Sequence, residues 1–287
     1  MSYLRHFKEC NLYQASHFMP FIVAGTRVGS VKLSFADQLN TYADFDLDPD
    51  SCKLHWSPPV LFDFDSLNLA MENLTVRLLD DGLLPYRHGE LFPVTTGHRD
   101  EPLFLMDRAV VPYFGIRAFG QHMNGFTRRN GEIFMWIARR SAKKRHAAGM
   151  LDHLVAGGLP WGLSLEQNLA KECWEEAGIP AELAVHAQLT SQLSYRRETE
   201  VGVKPDTLYC YDLELPDDFA PRCTDGEVDG FELWPLDQVA ESVHDSNDIK
   251  LNCNLVMIDF LIRHGYIPTH HAEYTEIVRQ LSQQNAI

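Results

Sequence analysis

Glu172, Glu175 and Glu176 stand at i, i+3, i+4 in the segment SLEQNLAKECWEEAGIP (164–180). On a helix that spacing puts all three carboxylates on one face. Three carboxylates converging on one point suit a hard divalent cation, which takes oxygen ligands and bridges protein carboxylates to substrate phosphates. Mg²⁺ is the expected ion, with Mn²⁺ able to replace it. The helix itself gains nothing from them. Ser164 reads as an N-cap with Gln167 three residues on, a capping box, and Gly178 and Pro180 stop the helix. The glutamates therefore crowd its last turns, where acidic groups oppose the macrodipole at about 0.3–1 kcal/mol each. The like-charged pair Glu172 and Glu176 adds about 0.2–0.5 kcal/mol. A bound cation would remove both penalties.

The competing explanation is a solvated acidic face, which is common. The segment ahead of the helix, VAGGLPWGLS (155–164), tilts the reading toward chemistry. Its glycines, Gly157 and Gly158 among them, let the backbone approach a ligand closely. Leu165, Leu169 and Cys173 form an i, i+4, i+8 stripe that can anchor the helix to a core.

The elements that must hold this helix are legible in outline. Asn130-Gly131 marks a hairpin between two strands within 116–140. The loop SAKKRHAAGM (141–150) and one short strand, LDHLVAG (151–157), lead to the glycine segment. Strands are expected within 183–195, 206–215 and 227–236, and helices over 252–265 and 272–284. Ahead of residue 108 the clearest helix is SLNLAMENLTVRLLDDG, with Leu67, Ala70, Met71, Leu74 and Leu78 on one face and Gly82 closing it. The turn-rich run 87–102 reads as the approach to a boundary. This predicts a smaller α+β domain over 1–107 and a second domain over 108–287, an α/β or α+β sandwich.

The 287-residue chain is 45% hydrophobic and carries a formal net charge of −15. An acidic surface repels nucleic-acid phosphates, so nucleic acid is not an expected partner. No run approaches the ~20 apolar residues that span a bilayer, and neither a signal peptide nor a lipidation pattern is read at the ends MSYLRHFKECNLYQ and QQNAI. No membrane partner is expected. The six cysteines have no Cys-x-x-Cys spacing. They read as reduced thiols in a cytoplasmic protein, and no structural zinc site is expected.

GGLPWGLSLEQNLAKECWEEAGI (157–179) resembles the Nudix box: Gly, five residues, Glu, seven residues, Arg-Glu, apolar, any, Glu-Glu, any, Gly, apolar. Gly157 takes the place of the first Gly, and Glu172, Glu175 and Glu176 take the metal-binding places. Leu163 stands where the family has Glu and Lys171 where it has Arg. The loop-supporting ion pair of the family is thus missing, and some other support is required. Segments such as FGIRAFGQHMNGF, LYCYDLELPDDFAPRCTDGEVDGFELWPL and LVMIDFLIRHGYIP extend the resemblance over nearly the whole chain. They are similar to a subfamily with an extra N-terminal domain, related to thiamine pyrophosphokinase-associated Nudix proteins and plastid Nudix hydrolases.

The resemblance implies a Nudix α/β/α sandwich with a mixed sheet, preceded by the smaller domain. It implies a Mg²⁺-dependent pyrophosphohydrolase acting on a small molecule, with thiamine diphosphate or a damaged analogue as the leading substrate. A nucleotide sugar or dinucleotide is the alternative, and a homodimer is the implied assembly. Glu172, Glu175 and Glu176 would hold metal. Glu227 is nominated as a further acid, because family members often complete the site from a later loop; Asp225 and Asp229 are its rivals. Two other functions share the fold. The isomerase that moves the double bond of isopentenyl diphosphate needs a Cys facing a Glu, and the cysteines here do not match that pattern. A non-catalytic binding domain commonly loses the box glutamates, which this chain keeps.

Outside the box, the basic run RRSAKKR (139–145) offers Arg139 and Arg140 for phosphate contact, against the alternative of a solvated loop. His122 and Asn124 alternate on a strand, so both face the same way and could contact a substrate ring. Tyr195 and Tyr209 are candidates for stacking on a heterocycle. His270-His271 has no carboxylate nearby in sequence, and no metal is expected there.

Overall fold

The computed structural model describes residues 1–284. Of the C-terminal QQNAI, read above as carrying no lipidation box, Asn285–Ile287 lie outside the described residues. Among the described residues no helix is long and apolar enough to cross a membrane.

The chain opens with α1 (Leu4–Cys10), followed by β1 (Phe18–Val23), β2 (Thr26–Lys32), α2 (Leu33–Leu39), β3 (Phe45–Asp48), β4 (Lys53–Trp56) and α3 (Phe64–Asp80). The four strands pair in the order β2-β1-β4-β3, with β1 and β4 parallel. Then come β5 (Leu91–Val94) and β6 (Phe104–Asp107), an antiparallel pair, and the short α4 (Val111–Phe114). Leu67, Ala70, Met71, Leu74 and Leu78 of α3 are all buried, as the 3.6-residue periodicity requires. The helix starts one turn earlier than the apolar pattern, because Asp63 caps it by accepting from Ser66 N at 2.9 Å. This apolar cluster runs on through Val110, Val111 and Phe114 to Ile116.

The second sheet contains β7 (Ala118–Arg129), β8 (Glu132–Arg140), β9 (Leu151–Asp152), β10 (Val155–Gly158), β11 (Gln188–Glu198), β12 (Val203–Glu214) and β13 (Val228–Pro235). Its order is β11-β12-β7-β8-β13, with β10 added to β7 and β9 to β8. Only β7 and β12 are parallel, which makes the sheet mixed. Asn130 (φ 51°) and Gly131 (φ 86°) form the predicted two-residue turn between β7 and β8; both positive φ values match the twist of the flanking strands. Helices α5 (Leu165–Ala177) and α6 (Ala181–Ala184) cover one face, through Leu169, Cys173 and Ala177 against Met123, Tyr211 and Leu213. Helices α7 (Leu236–Asp245), α8 (Leu251–Arg263) and α9 (Tyr274–Gln284) cover the other, against Phe126, Met135, Leu193 and Leu208. The result is an α/β/α sandwich with a mixed sheet. α1 joins this second core through Tyr3, Phe7 and Cys10 rather than the first.

Three local expectations change. The short strand over 151–157 splits into β9 and β10, because Asp152 and His153 turn into a buried polar cluster described below. The strand expected from residue 183 begins at Gln188, after α6. α7 was not anticipated, although Leu236, Val239 and Val243 are its buried face.

Candidate active site

Helix α5 is fixed at both ends. The capping box is present: Gln167 N donates to Ser164 Oγ at 3.2 Å and Ser164 N to Gln167 Oε1 at 2.9 Å. At the other end Gly178 takes φ 63°, and Ile179 N donates to Cys173 O at 3.0 Å. A loop that returns from β12 meets the remaining carbonyls. Thr224 N donates to Glu175 O at 2.8 Å, Thr224 Oγ1 to Trp174 O at 3.1 Å, and Arg222 N to Ala177 O at 2.9 Å. Those carbonyls are the orphans of any helix end. Satisfying them also brings Asp225 and Glu227 to the end where the glutamates lie.

Glu172 and Glu176 stand on consecutive residues of β10. A Cβ on Gly157 would fall 2.3 Å from Glu172 Cδ, so only glycine leaves room for that carboxylate. Ala156 N donates to Glu176 Oε2 at 2.6 Å. Glu176 is 5% exposed. Burial pushes its pKa up to about 8, with the Asp152 and Glu172 charges adding and the Ala156 N–H and Lys144 opposing. Burial also raises Glu172, against the Lys171 ammonium. Lys171 Nζ bonds Glu175 Oε2 at 2.7 Å and Glu172 Oε1 at 3.3 Å. The three glutamates are thus neighbours, but they are not gathered at ligand spacing. Among the described residues the group at such spacing is His122, Asp152, His153 and Cys253. The oxygen-only donor set, the raised pKa of Glu176 and the bare backbone at Gly157 all fit a hard cation at α5.

Glu227 is ion-paired to Lys144 and its N–H donates to Asp225 Oδ1 at 2.8 Å. Asp229 accepts from Ala142 N at 3.0 Å and Glu227 O from Ser141 N at 2.9 Å. The acidic turn therefore seats the 141–150 loop, and Lys144 from that loop pairs with Glu227 and lies within the electrostatic reach of Glu176. Burial lowers the Lys144 pKa against the pull of Glu176.

Several residues expected to contact substrate have partners within the protein. Arg139 bonds Gly149 O at 3.1 Å and Glu232 at 3.4 Å, while Arg140 bonds Asp152 Oδ2 at 2.7 Å and the carbonyls of His146 and Ala147. Both brace the loop, Arg140 from a nearly buried position and Arg139 from an exposed one. His122 and Asn124 do share a face, but it is the α8 face. His122 meets His153, Asn124 Nδ2 donates to Asp212 Oδ1 at 3.0 Å, and both residues are buried. That places them away from the α5 face that carries the glutamates. Tyr195 is buried with its hydroxyl donating to Asp206 Oδ2 at 2.7 Å, so it does not stack on a heterocycle. Tyr209 is half-buried on the α5 side, stacked on Phe119 with ring centroids 6.5 Å apart. His271 Nδ1 accepts from Glu273 N.

The missing loop support comes from residues that the sequence did not single out. Arg99 Nη2 donates to Pro160 O at 2.5 Å and Leu163 O at 3.0 Å, and its side chain is buried. Trp161 N donates to Leu91 O at 2.7 Å. From below, Asn168 Nδ2 donates to Gly158 O at 2.9 Å and Gln121 Oε1 at 2.8 Å, while Gln121 Nε2 donates to Leu165 O at 2.8 Å. Arg108, paired to Glu90 at 2.7 Å, lies against Gly158. Buried amides on otherwise apolar faces were the one available signal for Gln121 and Asn168; Arg99 gave none.

A model of the NUDIX domain matches residues 124–254, and one of a domain of unknown function (DUF4743) matches residues 2–118. The chain is 39% identical over 280 residues to Nudix hydrolase 20, chloroplastic, of Arabidopsis thaliana, covering 93% of this chain and 74% of the relative. The chain belongs to the Nudix hydrolase family. It is 38% identical over 282 residues to Nudix hydrolase 24, chloroplastic, of the same plant, covering 97% of this chain and 77% of that one. The NUDIX domain of Shewanella oneidensis NrtR, complexed with ADP ribose, is similar at 15% identity and a TM-score of 0.42, covering 53% of this chain and 90% of that one. This Nudix chain is a hydrolase, and members of the family use a divalent metal.

Proposed function

We propose that the chain is a Mg²⁺-dependent hydrolase that cleaves the diphosphate bond of a small molecule at the β10–α5 edge. Glu172, Glu175 and Glu176 hold the ion, and Glu227 is a further acid of the site. The observation that carries this reading is the seating of Glu172 and Glu176 on Gly157 and Ala156, with Glu176 buried and short of partners. A bound divalent ion supplies neutralisation of phosphate charge and acidification of water. The chain's own residues do the rest. One of the α5 glutamates, or Glu227, is suited to orient the attacking water. Gly157 and Gly158 present backbone without side chains to the diphosphate. Lys144, on the 141–150 loop, supplies a positive charge near Glu176 and Glu227.

Thiamine diphosphate or a damaged analogue is the leading substrate on the subfamily resemblance, and a nucleotide sugar or dinucleotide the alternative. The division into residues 1–107 and 108–287, a cytoplasmic setting and a homodimer belong to the same proposal; the relatives named chloroplastic argue for testing the setting directly. The test incubates the full chain with Mg²⁺ and a panel of diphosphates, including thiamine diphosphate, nucleotide sugars and dinucleotides, and follows phosphate release. Cleavage of at least one member is expected, with Glu176→Gln about 10²–10⁴-fold slower. A panel with no cleavage, or a Glu176→Gln variant as fast as the wild type, overturns the reading.

A further inference from the structure

On the α8 side of the sheet, four ligand-bearing side chains meet in the protein interior. His122 comes from β7, Asp152 from β9, His153 from the β9–β10 turn and Cys253 from the first turn of α8, and all four are buried. His122 Nδ1 lies 3.0 Å from His153 Nδ1 and 3.8 Å from Cys253 Sγ. Asp152 Oδ1 lies 2.7 Å from Cys253 Sγ and 3.7 Å from His153 Nδ1. The four donor atoms all fall within 4.8 Å of one another. Ligands at zinc–nitrogen and zinc–sulfur distances of about 2.0 and 2.3 Å leave tetrahedral edges of roughly 3.3–3.6 Å. The observed separations bracket that range, so side-chain shifts of under about 1 Å would close the tetrahedron.

We propose that His122, Asp152, His153 and Cys253 form a structural transition-metal site that takes Zn²⁺, separate from the ion held by the glutamates of α5. The donors decide the metal. Two imidazoles, a thiolate and one carboxylate oxygen select a borderline-soft ion over Mg²⁺. The second carboxylate oxygen is already committed. Arg140 holds Asp152 Oδ2 at 2.7 Å and Lys250 holds it at 3.2 Å, while His153 N donates to Oδ1 at 2.9 Å. Partners of that kind orient a ligand and are a normal part of a metal centre. They also add positive charge, so loading depends on the thiol. On binding, the Cys253 S–H bond breaks, its proton leaves to solvent and a sulfur–metal bond forms; thiolate and carboxylate then offset the charge of the ion.

The ordinary alternative is a buried hydrogen-bonded network. It leaves the two histidines with their Nδ1 atoms facing each other and His153 Nε2 without a hydrogen-bond partner among the described residues. The metal would instead tie α8 to β7 and β9 beneath the active-site loop, linked through Asp152 to Arg140, which braces that loop from the end of β8. It also replaces the expectation of no zinc, since His122 and Cys253 are 131 residues apart and carry no spacing signature.

The test uses the full chain purified without chelator or metal-affinity steps. Elemental analysis is expected to find about one zinc per chain. After chelation, cobalt titration should produce visible ligand-field bands and a thiolate-to-cobalt charge-transfer band. Cys253→Ser should lose the charge-transfer band and His153→Asn should lose zinc, whereas a Glu175→Gln, Glu176→Gln double variant should keep both. Should Cys253→Ser fail to fold, the cobalt spectrum of the wild-type chain still decides the matter. A wild-type chain with neither zinc nor the charge-transfer band overturns the proposal. So does metal lost from the glutamate variant and retained in Cys253→Ser, an outcome that would leave the α5 site untouched.

Discussion

Glu176 is held as a buried carboxylate with one backbone donor, Ala156 N, and a nearby ammonium, Lys144. Its folded pKa of about 8 lies above the ordinary value of 4.5. The native state therefore binds its proton more tightly than the unfolded chain does. The stabilisation is complete below about pH 4.5 and is lost as pH rises toward about 8. In metal-free protein, thermal denaturation across that window should show falling stability, by an amount on the order of a few kcal/mol. Glu176→Gln should flatten the slope relative to wild type. Parallel slopes for the two proteins would remove the case for a strained, ion-seeking carboxylate. Asp152 contrasts with it: burial alone would raise its pKa, yet Lys250 and the neighbouring histidines hold it well below the usual carboxylate range.

The unit of function among the elements is α5 laid across β10. Its carboxylates need a strand edge without side chains, which Gly157 supplies, and a helix end whose carbonyls are satisfied, which Thr224 and Arg222 supply. A methyl group at Gly157 would sit 2.6 Å from Glu172 Oε2 and force the carboxylate aside. A misplacement of ~1 Å can cost about 10²-fold in rate. Gly157→Ala is therefore expected to lose about that much in kcat with little change in Tm, because the β7–β10 pairing survives. Steady-state kinetics and a melting curve on one preparation check this; a variant with normal kcat would mean that Glu172 is not held where it acts.

Across the whole molecule, the N-terminal region acts as a buttress for the hydrolase domain at two places. Arg99 and Leu91 hold the 157–164 loop, and α1 fills the core beside α8. Arg99→Ala removes the two charge-assisted hydrogen bonds to the loop, along with that to Asp100, and leaves the carbonyls of Pro160 and Leu163 without that donor. A loss of about 1.5–3 kcal/mol is expected for one such bond, together with a raised KM as the loop loosens. Arg99→Lys should recover only part, because an ammonium cannot reproduce the planar fork. Denaturation and KM measurements on both variants decide; unchanged KM in Arg99→Ala would mean that the loop stands by itself.

What the amino-acid sequence determined alone was local. Capping at Ser164 and Gln167, the stop at Gly178, the Asn130-Gly131 turn and the face of α3 each depend on residues within a few positions of one another. Their backbone and side-chain preferences act without outside help. The Nudix resemblance added the fold and the family, and it exposed the gap at Leu163 and Lys171. What filled that gap was decided only by tertiary structure. Arg99 reaches Leu163 from 64 residues away and Gln121 reaches Asn168 from 47. The face chosen by His122 and Asn124 was equally out of reach. Alternation along β7 shows that they point the same way, but not toward which helix layer, because a strand in the middle of a sandwich has a buried partner on each side.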